Sequence, residues 1–270
     1  MMSQKTYSQS SLQDFVDCRR RYYYRRVLSL NWPTDDGDAA DTLQERVWAG
    51  KLFHTLVHQF LVGVPIDDIN LIDLPHPVKG WWKTFIDRLP ISKTGVSFPE
   101  VTLTTLITAD ALLVARYDLI QQIDNEFLIF DWKTSSNLPK RGTLLDKLQT
   151  KVYPFTLADS GFFDGTIPIS PENIKMTYWF VEYPDQPITV TYSKEQKEKD
   201  RKYLEEQILE ISSLEIERIG DFHKTDNRKL CSYCEFSGLC ERSDIVPDSD
   251  HEEEAHPFEY DFDFFSEDDI

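Results

Sequence analysis

Residues 112–134 read LLVARYDLIQQIDNEFLIFDWKT, and the fold turns on how this stretch is read. Two runs rich in β-branched and aromatic residues flank Asp124 and Asn125, a pair that tolerates positive φ and suits the central positions of a hairpin turn. With the turn there, cross-strand partners have the same residue-number sum as Asp124 and Asn125, so Asp118 faces Asp131. Directly opposed residues share a sheet face with Cβ atoms ~5 Å apart, where like charges destabilise unless something compensates. A divalent cation would do so. Lys133, two residues beyond Asp131, projects from that same face. Leu128, Ile129 and Phe130 form the continuous apolar run of a buried central strand, which places Asp131 and Lys133 where charge is costly. The plainer alternative is a surface hairpin in which Lys133 pairs with an Asp.

Hard oxygen ligands at this density suit Mg²⁺ or Mn²⁺. A cation held by two carboxylates can acidify water and offset charge on a phosphoryl oxygen, and a nearby ammonium can stabilise the transition state or orient the nucleophile. That combination fits phosphodiester hydrolysis.

Outward from the hairpin, strands are predicted over 101–107, 112–120 and 127–132, then over 174–182 and 188–192. Helical spacing predicts a first helix starting at Ser10, with Gln13 completing a capping box and Cys18 inside it. A second covers 42–62, with His54 and His58 on one face. A third covers 144–157, where Pro154 should kink or end it. A long charged helix spans 193–218, capped by Ser193 with Gln196. The Pro-bounded segment 74–89 carries Trp81 and Trp82, read as core or contact residues, with base stacking as the functional alternative. The order predicts one α/β domain, a mixed sheet with helical flanks, over 1–246.

The chain has 270 residues, 40% hydrophobic and 13% aromatic, enough for a sizeable core, and a formal charge of −18. No apolar run approaches the ~20 residues of a membrane span, and the polar start lacks a signal-peptide core, so a cytoplasmic protein without a membrane partner is expected. Residues 247–270 hold 11 acidic residues and no Lys or Arg, which leaves −7 on residues 1–246. Contact with nucleic acid must therefore be local, since non-specific phosphate affinity comes from Lys and Arg. Arg19, Arg20, Arg21, Arg25 and Arg26 around Tyr22, Tyr23 and Tyr24 are one candidate for such a contact, and the plainer, favoured reading is a solvated basic helix face over buried tyrosines.

The four cysteines form one pattern, Cys18 followed by Cys231, Cys234 and Cys240 in a C-x2-C-x5-C run. A tight C-x-x-C in a reducing compartment points to metal, not disulfides. Four thiolates suit either tetrahedral Zn²⁺ or an iron-sulfur cluster. Either would clasp the first helix to the C-terminal segment.

Taken together, these residues resemble the PD-(D/E)XK nuclease superfamily, in its RecB-like branch with an iron-sulfur cluster, as in the AddB nuclease domain and CRISPR-associated exonucleases. The resemblance covers about residues 7–241. Gly50 to His54 is similar to the family's helix motif ending in a metal-binding histidine, Asp118 to its first metal-binding aspartate, Asp131-Trp132-Lys133 to its D-x-K motif, and Gln149 with Tyr153 to its Q-x-x-x-Y motif. Ala115 stands where the family commonly has Gly. The resemblance implies a restriction-endonuclease-like fold. It implies that His54, Asp118, Asp131 and the Trp132 carbonyl bind Mg²⁺ or Mn²⁺, that Lys133 is the catalytic lysine, and that Gln149 and Tyr153 orient the strand. It further implies that Cys18, Cys231, Cys234 and Cys240 hold a 4Fe-4S cluster. The expected activity is a DNA exonuclease acting on single-stranded or unwinding DNA.

Other residues read more plainly: His58 as a packing or hydrogen-bonding histidine, with a second ligand as the alternative, and Glu100 as a solvated strand end, with a place in the metal site as the alternative. Residues 247–270 alternate acids with Phe258, Tyr260, Phe262, Phe264 and Phe265. This composition predicts a disordered tail that solubilises, docks a helicase or other protein partner, or occupies the chain's own strand-binding channel. A non-catalytic repair or helicase-associated assembly module on the same scaffold is the alternative function.

Overall fold

The computed structural model describes residues 4–30, 38–65, 74–161, 169–232 and 234–242. Six strands, β1 Lys5–Ser8, β2 Val96–Thr108, β3 Ala111–Ile123, β4 Glu126–Lys133, β5 Ile174–Phe180 and β6 Ile188–Thr191, form one mixed sheet. The helices are α1 Gln9–Asp17, α2 Arg19–Tyr22, α3 Asp38–Leu61, α4 His76–Asp87, α5 Arg141–Asp146, α6 Leu148–Asp159 and α7 Lys194–Ser213. A single π-helical turn, Tyr23–Val27, continues α2.

The hairpin turn falls at Asp124, whose φ is 52°. β3 and β4 pair antiparallel from Ile123↔Glu126 to Leu119↔Phe130, the register expected from the turn chemistry. The ladder stops one pair short of Asp118 and Asp131. On the same edge of β3, β1 pairs in parallel at residues 111–114, from Lys5↔Ala111 to Ser8↔Val114. Residues 115–118 lie in the fork between these two partners, and Asp118 sits at its mouth.

β4 is buried on both faces, which is why its apolar run does not alternate. Phe127 and Ile129 face a core shared with α1, α6 and α7, while Phe130 and Trp132 face a second core shared with α3 and α4. Its other edge pairs in parallel with β5, with Asp131 beside Tyr178. Helices thus cover both sheet faces, as predicted.

Three local expectations differ. Residues 5–8 are drawn into the sheet as β1, so the first helix is capped two residues early, by Ser8 with Ser11 closing the box. It also stops at Cys18, which adopts an extended conformation (φ −162°, ψ 109°) between α1 and α2 instead of lying within a helix. α6 runs through Pro154, and the break falls at Lys147. Nearly every side chain of α6 is buried, and packing on all sides offsets the one hydrogen bond proline removes.

The basic stretch is not a solvated face. Arg21, Arg25 and Arg26 converge on the buried Asp14, with contacts at 2.9, 2.5 and 2.9 Å. Arg25 continues to Glu235 at 2.6 Å, Arg19 pairs with Glu210, and Arg20 donates to the carbonyls of Ile219 and Phe222. Buried charge must be paired: Arg21 and Arg26 brace the N-terminal helices against each other, and Arg19, Arg20 and Arg25 tie them to the C-terminal half of the chain. The tyrosines are buried as expected, Tyr23 against Phe222 and Tyr24 against Phe236.

Candidate metal centre and cysteine pocket

The site is built where three strands and α3 meet. Tyr117 and Ile120 of β3 both pack into the larger core, whereas Leu119 packs into the second core and Asp118 reaches α3. The two-residue alternation of the strand is therefore broken at Asp118. β2 matches it: Val101 pairs with Tyr117 and Pro99 with Leu119, so the register sets Glu100 opposite Asp118. Glu100 has φ 53°, a left-handed conformation uncommon for a residue with a Cβ. Strain of this kind gathers at functional sites.

One donor atom each from His54, Glu100 and Asp118 lies within 4.8 Å of the others. His54 Nδ1 is 3.2 Å from Asp118 Oδ1. The Trp132 amide N–H donates to Asp118 Oδ2 at 2.8 Å, so the carboxylate replaces the backbone acceptor that β4 lost where the strands part. Glu100 accepts from Arg116 Nε at 2.7 Å. It is a member of the donor cluster, not a solvated strand end. Its signal in sequence was only a carboxylate at a strand head, and the conformation that turns it inward leaves no mark there.

Asp131 and Lys133 form the adjoining half of the site. Lys133 Nζ lies 2.6 Å from Asp131 Oδ2 and donates to Gln149 Oε1 at 3.1 Å, while Gln149 Nε2 donates to Asp131 Oδ1 at 2.6 Å. Lys133 also lies 5.6 Å from the ring centroid of Tyr178. Asp131 and Gln149 are buried. Tyr153, one turn after Gln149, is buried against Tyr117, whose hydroxyl donates to the Tyr153 carbonyl.

The electrostatics join the two halves. Burial alone would depress the His54 imidazole, but the charge and hydrogen bond of Asp118, with Asp131 behind, hold it above its ordinary value. Burial alone would raise Asp118, yet His54, the Trp132 amide and Lys133 bring it below the usual carboxylate range. Burial and then the neighbouring Asp118 charge raise Glu100, against the pull of Arg116. Two crowded carboxylates with an imidazole form a donor set suited to a hard divalent cation, which would relieve the repulsion between them.

A second pocket lies at the end of α1, lined by all four cysteines. The extended link at Cys18 turns its thiol toward the segment carrying Cys231, Cys234 and Cys240. No disulfide forms. Burial pushes the Cys234 thiol up to about 12 and raises Cys240, so each stays protonated at neutral pH unless a cation replaces the proton. The donor chemistry suits a thiolate-bound metal group.

Trp82 is core, and the Trp81 indole N–H donates to Glu182, so the pair is engaged within the domain. Residues 247–270 lie outside the described residues. No described helix is long and apolar enough to cross a membrane.

With this geometry in place, comparison with known proteins is direct. The PD-(D/E)XK nuclease superfamily profile matches residues 6–241. The chain belongs to that superfamily and has its restriction-endonuclease-like fold, a mixed sheet flanked by helices. Among solved structures, a candidate exonuclease from Eubacterium rectale is similar at 10% identity and TM-score 0.52, over 90% of each chain. The crystal structure of SSO0001 matches at 16% identity and TM-score 0.46, over 89% of this chain and 87% of that one. No curated protein matches by sequence.

Proposed function

We propose that this protein is a Mg²⁺- or Mn²⁺-dependent nuclease acting as a DNA exonuclease on single-stranded or unwinding DNA, in the RecB-like branch whose members carry a 4Fe-4S cluster. The observation that carries the reading is the juxtaposition of the His54, Glu100 and Asp118 donors with the Asp131–Lys133 pair at the strand fork.

In this reading His54, Glu100, Asp118, Asp131 and the Trp132 carbonyl hold the cation. A cation bound there would acidify a water molecule and offset charge on a phosphoryl oxygen. Lys133 supplies the fixed positive charge. Its ammonium, steered by Asp131 and Gln149, orients the attacking water and stabilises charge that develops on the phosphate. Gln149 holds Asp131 and Lys133 in register, and Tyr153 seats α6 behind them. Arg116 keeps the Glu100 carboxylate turned to the cluster.

At the cysteine pocket, four thiols lining one cavity support a thiolate-bound metal group, an iron-sulfur cluster in this reading with zinc as the alternative. A visible absorption spectrum distinguishes the two.

The deciding experiment incubates end-labelled single-stranded and duplex DNA with the protein and Mg²⁺, Mn²⁺ or EDTA. Cation-dependent shortening of single strands from an end, lost in Asp131→Ala, is expected. Intact DNA under every condition, or equal cleavage by Asp131→Ala, would overturn the proposal.

A further inference from the structure

The cysteine pocket has a charge pattern at odds with the rest of the chain. The protein carries 47 acidic residues against 29 Lys and Arg, yet the pocket lining includes Arg21, Lys224 and Arg242 and no carboxylate. Neutral thiols give no reason to gather three cations. Four thiolates around a metal group do, because such a unit is an anion in a partly buried site.

The three cations are held differently. Arg21 is committed to Asp14 and Asp17. Lys224 donates to the Cys240 carbonyl at 2.7 Å. Arg242 reaches a sulfur: its Nη1 donates to the Thr225 carbonyl at 2.7 Å and to Cys231 Sγ at 3.3 Å. Its backbone N–H donates to the Ser237 carbonyl at 2.9 Å, closing the loop between Cys234 and Cys240. The guanidinium is thus anchored from the main chain and from Thr225 and presented to Cys231, as expected of a group that fixes a metal ligand from outside.

We propose that Arg242 is the positioning residue of the four-cysteine site, orienting the Cys231 sulfur and offsetting the negative charge of the thiolate-bound metal group. The inference rests on the cysteines holding a metal and is independent of the nuclease reading. One guanidinium nitrogen, Nη1, serves Thr225 and Cys231 together, and the ammonium of a lysine, on a stem of different reach, supplies the charge without that placement.

The test uses the full-length protein purified without oxygen, with metal per chain measured first. Release into EDTA is then followed by visible absorbance for iron, or with a zinc-binding dye for a colourless site, in wild type, Arg242→Lys and Arg242→Gln. Arg242→Gln is expected to lose metal roughly 10–100-fold faster, with Arg242→Lys between it and wild type. If the group is iron-sulfur, Arg242→Gln also lowers its reduction potential, since a donor to sulfur favours the more negative reduced state. Thermal unfolding of the metal-free proteins separates a purely structural role, because the metal-free variant should melt with metal-free wild type. Release within twofold of wild type overturns the inference, as does a defect of equal size in the metal-free protein. Wild type without metal refutes the metal-site reading beneath it, an outcome distinct from both.

Discussion

The Trp132 amide N–H donates to Asp118 Oδ2 at the point where β3 and β4 cease to pair. One carboxylate therefore serves two ends: it satisfies a main-chain donor that strand divergence would strand, and it turns its other oxygen to His54. The two roles separate by substitution. Asp118→Asn keeps an oxygen acceptor and is expected to fold with little loss while cation binding and cleavage fall. Asp118→Ala leaves the Trp132 N–H without that partner and should cost a further ~1–3 kcal/mol in urea unfolding. Equal stability of the two variants would show that the amide finds another acceptor.

Glu100 carries a different signature because its backbone is left-handed. Removing the carboxylate by Glu100→Ala keeps the Cβ penalty, whereas Glu100→Gly removes it. Both should weaken Mn²⁺ binding by calorimetry, while the glycine variant should be about 1 kcal/mol more stable than the alanine variant. The lost contact with Arg116, which is 36% exposed, is common to both. If the alanine variant is as stable as the glycine variant, no strain is stored at this position.

These two residues mark the limit of what the sequence discloses. The hairpin register could be read because Asp124 and Asn125 have definite turn chemistry and the strands have a period of two. The switch of faces at Asp118 could not, because Leu119 and Ile120 look alike whichever core they enter. Turn chemistry pointed to Asp118 and Asp131 as the opposed pair, and the β3–β4 ladder keeps that register to within one pair of them; on the other edge of β3 the structure also sets Glu100 opposite Asp118. The arginine stretch misled for a related reason. Its partners Asp14, Glu210 and Glu235 are brought to it only by the tertiary fold, which no local pattern encodes.

Lys133 contacts Asp131 and Gln149, and its ammonium, itself a cation, is no ligand for a divalent ion. Lys133→Met is therefore expected to bind Mn²⁺ with near wild-type affinity while cleavage drops by roughly 10²–10³-fold, the scale of losing one preorganised charge at a transition state. A parallel loss of cation affinity would move Lys133 from the chemical step to assembly of the site.

The pH dependence of stability can be tested away from the metal centre, at Asp159. Burial would raise its carboxyl, but Lys197, then Arg201 and Thr105, hold it below the usual range. A folded-state value below the unfolded one adds stability above the unfolded value of about 3.9, and this is lost as pH falls through the folded value. Asp159→Asn should therefore cost about 1–2 kcal/mol at pH 7, and the gap to wild type should close in urea melts carried below pH 4. A gap that persists in acid would assign the contribution to the hydrogen bonds alone.

Asp14 offers the sharpest test of how the N-terminal helices are fastened to the cysteine-bearing segment. It is 3% exposed and meets three guanidinium groups, of which Arg25 also grips Glu235 beside Cys234. Removing one member of a buried charge network leaves the others uncompensated, a loss of about 3–5 kcal/mol. Asp14→Ala should lower the unfolding midpoint accordingly and, because Arg25 then loses one of its two anchors, loosen the loop around Cys234. Hydrogen exchange of residues 234–240 reads this second effect directly. Exchange unchanged from wild type, with stability lost, would confine Asp14 to the N-terminal helices and leave the cysteine loop to hold itself.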